Sequence, residues 1–331
     1  MGWPLRMFDP LRIYFVTVRC FQRRLLMRPS SETNDVLGGV LARASRMNGV
    51  EIFGFVFASN HVHLLVRAPR GNLPRFMRHL LTNISKKVGH VVRWKGRFWE
   101  RRYSAEPVLD EVALLGRVRY MLAHGPKEGL VRTVSEWPGL SSLGMMLNGT
   151  PRRFRWFNWT LKSKVHPSAA NAGRFAERWA EEETLSLTPL PLQTLQSAEA
   201  LRRFLKDSIQ AIESEASKLH RRFLGRAGVL KQHPLRKARK KERSVRPLCH
   251  TSFPALLKEY LEGYRAFVAA FRWAASRWKR GEVNVVFPEG AYRPFVWPRA
   301  PSPQLAACTV IREGGNESGR GGAGGSGRLC P

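Results

Sequence analysis

Two histidines one residue apart, His61-Val62-His63, stand in a segment rich in β-branched and aliphatic residues. On an extended strand the side chains alternate, so both imidazoles leave one face while Val62, Leu64 and Val66 leave the other. Two imidazoles on a rigid strand can hold one divalent cation through ring nitrogens. A half-buried strand with two surface histidines would look the same, because a chain with nine histidines can carry such a triplet by chance. Farther along, Tyr120 falls in a helical pattern whose apolar stripe is Leu114, Leu115, Val118 and Leu122. Tyr120 lies off that stripe, on the face it shares with Arg117 and, one turn on, His124. A phenol of pKa ~10 needs help to act as a nucleophile. Cationic arginines and a nearby metal would stabilise a phenolate or the phosphate it attacks. An ordinary amphipathic tyrosine with its ring on the edge of the core is the competing possibility.

The surrounding pattern supplies a scaffold for these groups. Residues 12–20 (RIYFVTVRC) read as a strand. Residues 31–48 read as an amphipathic helix through Val36, Leu37, Val40, Leu41 and Ala44, with Ser30 or Ser31 as N-cap and Gly49 as the stop. A strand over 50–58, a turn at Ser59-Asn60 and a strand over 61–67 follow. Next come a helix over 73–91, an irregular strand over 96–108, and a helix capped by Asp110 that should stop at Gly125-Pro126. The first six elements have the order of a ferredoxin-like split βαβ arrangement, so the expected fold class is α+β.

After about residue 147 the composition changes. Residues 151–191 read as irregular, with an acidic patch at Glu181, Glu182 and Glu183. Residues 195–224 form a long helical pattern, 231–246 hold eight basic residues and one acid, and 253–278 form a helix that is aromatic on one side. The expected division is therefore a catalytic domain over 1–147, a basic and mainly helical region over 148–300, and a disordered Gly-rich tail over 301–331.

The chain carries 56 Lys and Arg against 25 Asp and Glu, a formal net charge of +31 over 331 residues, and both halves share the excess. Such a chain repels itself, and a polyanion relieves the repulsion, which makes nucleic acid the leading partner. No apolar stretch approaches the ~20 residues of a membrane span. The start lacks a secretory pattern, so the expected location is cytoplasmic, on the nucleoid when DNA is bound. Four cysteines lie far apart without a C-x-x-C pair, which disfavours a zinc knuckle or a disulfide framework. No G-x-x-x-x-G-K segment suggests an attached helicase, and four scattered aspartates do not suggest a carboxylate cluster for two metals.

His61-Val62-His63-Leu64-Leu65, preceded by Asn60, resembles the HUH metal motif of single-tyrosine transposases, the insertion-sequence-200-like family. In that family the tyrosine lies on the helix after the fourth strand, as the pattern places Tyr120. Phe98-Trp99-Glu100-Arg101-Arg102-Tyr103 resembles the family's tryptophan and double-arginine segment. Tyr120-Met121-Leu122-Ala123-His124-Gly125-Pro126 resembles the end of its tyrosine helix, and Trp137-Pro138-Gly139-Leu140-Ser141-Ser142 the segment that follows. The branch most similar is that of the REP-associated tyrosine transposases and their bacterial relatives. Three positions depart from the pattern: His124 stands where an amide is usual, Ser59 where proline is common, and Gly125-Pro126 where Asn-Pro is usual.

The resemblance implies a metal-dependent DNA transposase or endonuclease that cleaves and rejoins single-stranded, hairpin-associated DNA through a 5′-phosphotyrosine. Tyr120 would be the nucleophile, and His61, His63 and His124 would hold Mg²⁺ or Mn²⁺. Lys86, Lys87, Arg97, Arg101, Arg102 and Arg117 are the expected phosphate contacts, with Trp94 and Trp99 as candidates for base stacking or core packing. A homodimer with shared sites is left open. The runner-up is a non-catalytic, basic nucleic-acid-binding protein that keeps the fold.

Overall fold

The computed structural model describes residues 4–164, 173–238 and 246–292. Strand β1 (Ile13–Arg19) leads into α1 (Ser31–Asn48), then β2 (Glu51–Phe57), β3 (His61–Arg67), α2 (Leu73–Val91), β4 (Ser104–Val108) and α3 (Glu111–Leu122). The four strands form an antiparallel sheet in the order β2-β3-β1-β4, the ferredoxin-like arrangement. Local chemistry marks the helix ends. Ser30 Oγ accepts from Thr33 N–H at 3.0 Å, Asp110 Oδ1 from Ala113 N–H at 2.7 Å, and Gly49 ends α1 in the left-handed region at φ 60°.

Alternation along the strands builds two cores. Tyr14, Val16, Val62, Leu64 and Val66 pack beneath α1 and α2 on one face. Ile13, Phe15, Phe53 and Leu65 pack on the other, beneath α3 and α7 (Ala198–Leu219). The histidines of β3 belong to this second face.

Three expectations change. The tyrosine helix does not stop at Gly125-Pro126; it breaks at Ala123, and a separate turn, α4 (His124–Lys127), contains both residues. Pro126 has no N–H to give Leu122, so α3 cannot run through it, yet its fixed φ suits a first helical turn. The irregular strand expected over 96–108 is regular only as β4. The stretch over 151–191 contains, after α5 (Leu143–Asn148), a hairpin of β5 (Arg152–Phe157) and β6 (Ala180–Leu185), with the short helix α6 (Trp159–Lys164) between its strands.

That hairpin lies on α1, where Gly38 and Gly39 permit the close approach; a Cβ on Gly39 would strike the Arg155 carbonyl. Its acidic patch answers the helix: Glu183, buried, pairs with Arg43 at 2.9 Å and Arg46 at 2.8 Å. Phe154, Trp156, Phe157 and Leu185 join the α1–α2 core. The remaining helices are α8 (Gly225–Lys231) and α9 (Pro254–Lys279). The expected helix over 195–224 is shorter at both ends: Ser197 caps it, and His220 is extended. The glycine-rich tail over 301–331 and residues 239–245 of the basic run over 231–246, including Arg239, Lys240 and Lys241, lie outside the described residues.

Candidate active site

Strand β3 presents His61 and His63 on the α3 face, and the turn after α3 brings His124 to them. Candidate ligand atoms of the three imidazoles all lie within 4.8 Å of one another. Ring centroids are 4.8 Å apart for His61 and His63, 4.4 Å for His61 and His124, and 5.7 Å for His63 and His124. Nε2 of His61 faces Nε2 of His124 in direct contact.

The far side of each strand imidazole is anchored. Asn60 Nδ2 donates to the Arg23 carbonyl at 3.4 Å, which turns its Oδ1 to accept from His61 Nδ1–H at 2.6 Å. Thr17 Oγ1, directly across the β1–β3 ladder, meets His63 Nδ1 at 2.8 Å. Asn60 Oδ1 can only accept, so His61 carries its proton on Nδ1 and keeps the lone pair on Nε2, while Thr17 engages Nδ1 of His63. His63 Nε2 is buried and has no hydrogen-bond partner. Burial, then the neighbouring His124 and nearby cations, holds both strand imidazoles well below the ordinary histidine range, so they stay neutral. Two neutral strand imidazoles, one with an orphaned inward nitrogen, and the His124 ring beside them fit a divalent cation.

Tyr120 stands beside this cluster. Its ring meets His63 edge-on at 5.3 Å and Phe15 at 5.8 Å, and it is 39% exposed. The Arg117 guanidinium lies 5.2 Å from the ring centroid and the Lys127 ammonium 5.7 Å. The phenol opens into a cleft of about 610 Å³ also lined by His61, His124, Arg19, Arg101, Arg102 and Arg246. Tyr260 and Tyr264 of α9 line it as well. The cleft is cationic, with Glu106 buried at its edge; burial raises that carboxyl, and Arg246 and Arg117 pull it back.

Of the residues expected to meet DNA, Arg101, Arg102 and Arg117 are therefore beside Tyr120. The other three are not. Lys86 is exposed on α2, in the layer on the opposite face of the sheet. Lys87 is 3% exposed; its ammonium donates to the Phe157 carbonyl and lies 4.3 and 4.4 Å from the ring centroids of Trp156 and Trp159. It is a buried cation and cannot reach a phosphate. Arg97 is exposed on the loop before β4, away from the lining of the Tyr120 cleft, and its Nε donates to the Trp99 carbonyl at 2.8 Å. Trp99 itself packs inward and donates to the Leu81 carbonyl at 3.0 Å, while Trp94 lies under Arg24.

Sequence patterns missed Thr17, Arg19 and Arg246 as members of the site. Thr17 follows only from strand register, and Arg246 only from the tertiary fold. Asn60 was visible next to the histidine pair.

The model of the family described as "Transposase IS200 like" matches residues 11–120, a span that contains His61 and His63 and ends on Tyr120. The match spans about a third of the chain, and over that span the chain is similar to the IS200-like transposases. Among solved structures it is similar to a REP-associated tyrosine transposase bound to a REP hairpin. That likeness has 18% identity and a TM-score of 0.35, covering 55% of this chain and 95% of the other. It is also similar to a candidate transposase from Deinococcus radiodurans, with 20% identity and a TM-score of 0.27, covering 36% and 92%. No curated protein matches the chain. No helix among the described residues is long and apolar enough to cross a membrane.

Proposed function

We propose that the protein cleaves and rejoins single-stranded, hairpin-bearing DNA with Tyr120 as nucleophile. The convergence of an exposed phenol, three imidazoles and a cationic cleft carries this proposal. The Tyr120 oxygen attacks the scissile phosphorus and gives up its proton to solvent. The new P–O bond makes a 5′-phosphotyrosine, while the bond to the 3′-oxygen breaks and that oxygen leaves as a hydroxyl after taking a proton. The phosphodiester energy stays in the covalent link, so a 3′-hydroxyl can reverse the step without a nucleotide cofactor. The Arg117 guanidinium and the Lys127 ammonium stand beside the phenol ring, placed to neutralise charge on the attacked phosphate. Arg101, Arg102 and Arg246 line the cleft as sites for the flanking phosphates.

His61, His63 and His124 are the residues that would hold a divalent cation, with Asn60 and Thr17 orienting the first two. When bound there, the cation would polarise a phosphate oxygen as a Lewis acid. An all-imidazole set favours Mn²⁺ over Mg²⁺, which prefers oxygen ligands. Residues 1–147 are proposed to carry this chemistry, and 148–300 to extend the nucleic-acid surface.

Incubation with labelled hairpin DNA and Mn²⁺, followed by a denaturing gel, tests the assignment. Wild type should yield a covalent protein–DNA adduct, and Tyr120→Phe should yield none while binding the DNA nearly as well. An undiminished adduct in the variant would remove Tyr120 from its role. Binding without any wild-type adduct would favour the non-catalytic alternative.

A further inference from the structure

A second groove lies on the other side of the histidine cluster. Its volume is about 480 Å³, and it shares His61, His124, Arg19 and Lys127 with the first cleft, so the two meet at the imidazoles. Tyr120 lines the first cleft and not the second. The walls of the second are the loop after β1 and the segment following α8. Leu25 N–H donates to the Arg236 carbonyl and Ala238 N–H to the Arg23 carbonyl, both at 3.0 Å, which staples one wall to the other. The segment after α8 thereby places Arg236 and Lys237, both exposed, beside Arg23.

Two features show that this groove is built rather than incidental. Gln22 and Arg23 are consecutive non-glycine residues in the left-handed region, at φ 52° and 57°. That conformation is costly and persists only where its surroundings enforce it. Asn60 ties the strained loop to the site, since the same side chain donates to the Arg23 carbonyl and accepts from His61. Among the described residues no carboxylate is ion-paired with Arg23, Arg236 or Lys237; Glu128 is the acid lining the groove.

We propose that this groove holds the part of a single-stranded DNA lying on the 5′ side of the scissile phosphate, with backbone phosphates on Arg23, Arg236 and Lys237. The polarity rests on the proposed tyrosine chemistry. In phosphoryl transfer the attacking and leaving oxygens stand roughly in line across phosphorus. Tyr120 approaches from the first cleft, so the 3′-oxygen departs toward the second groove, and the strand ending in that oxygen must lie there. The covalently held 5′-phosphate end stays with Tyr120, Arg101 and Arg102.

The test uses the full chain carrying Arg23→Ala, Arg236→Ala and Lys237→Ala together, with anisotropy on a thirty-nucleotide oligothymidine across a salt series. The triple variant should bind more weakly, and the slope of log affinity against log salt should fall by up to ~0.7 per lost contact, ~2 in all. Lys86→Ala, on the opposite layer, should change neither. Unchanged affinity and slope in the triple variant would overturn the groove, whether or not the protein cuts DNA. Polarity is read on any oligonucleotide the wild type cuts, in the Tyr120→Phe background. Removing the 5′ flank should abolish the difference between triple variant and parent, and removing the 3′ flank should preserve it. The reverse pattern would overturn the assigned direction. Absence of wild-type cutting would remove the tyrosine chemistry, and the directional claim with it, while the oligothymidine result still decides the groove.

Discussion

Lys87 separates a structural cation from a nucleic-acid contact, and its replacement by methionine gives a graded test. Burial pulls its ammonium from the ordinary 10.5 down to about 8. Below pH 8 both folded and unfolded chains carry the proton, and the folded state bears the full desolvation penalty. Between pH 8 and 10.5 the unfolded chain holds more protons than the folded one, so stability rises with pH; above 10.5 neither holds it and the penalty is gone. At about 1.36 kcal/mol per unit, the penalty at neutral pH is about 3 kcal/mol, and about 2 kcal/mol of it is relieved by pH 9.5. The indole faces of Trp156 and Trp159 and the Phe157 carbonyl keep the charged form in place meanwhile. Lys87→Met has no proton to lose. Urea unfolding of both proteins at pH 7 and pH 9.5 should therefore show wild type gaining about 2 kcal/mol relative to the variant. The change in the gap is the readout, because the Phe157 carbonyl left without its donor shifts the variant equally at both pH values. Parallel stabilities would mean that the ammonium is hydrated, contrary to its burial. A large loss of DNA affinity in a folded variant would return Lys87 to the binding surface.

His61→Ala and His63→Ala should each abolish adduct formation, and EDTA should do the same to wild type; cleavage that persists undiminished in chelator would mean a metal-free reaction. Asn60→Ala should raise the Mn²⁺ concentration needed for half-maximal cleavage by roughly 10–100-fold, since it frees the His61 ring from its anchor. Isothermal titration with Mn²⁺ reads the same loss without turnover. Gly39→Ala should destabilise the fold by ~1–3 kcal/mol in urea, because the new methyl group collides with the Arg155 carbonyl.

Much of the chemistry was legible because it rests on local periodicity. The alternation over 61–67 placed both imidazoles on one face, and the stripe of α3 placed Tyr120 off the core, without knowledge of any partner strand. What escaped was set by distant chain. Thr17 stands behind His63 through pairing with β3, a register that no local pattern contains. Lys87 looked like a surface cation because Trp156 and Trp159, which bury it, come from the hairpin region some seventy residues later. The hairpin itself was hidden because its strands are separated by a long interruption and seat on a glycine pair inside a helix. Arg246 reaches the cleft from beyond α8, just before the segment that pairs in parallel with the end of β4 through His250.

The break at Ala123 divides the machinery between two levers. Tyr120 rides on α3, which is seated in the sheet; His124 rides on α4, whose end is held by His220 after α7, through Nε2 on the Lys127 carbonyl at 2.9 Å. Tyr120 and His124 are only four residues apart yet sit on separate helices, and α7 holds both of them, since its Glu215 pairs with Arg119 of α3 at 2.5 Å. A shift of α7 would therefore move phenol and imidazole alike, each through its own hinge on either side of Ala123. The helical region beyond residue 120 thus reaches the cluster from outside, the way one hand on a clasp moves both of its jaws.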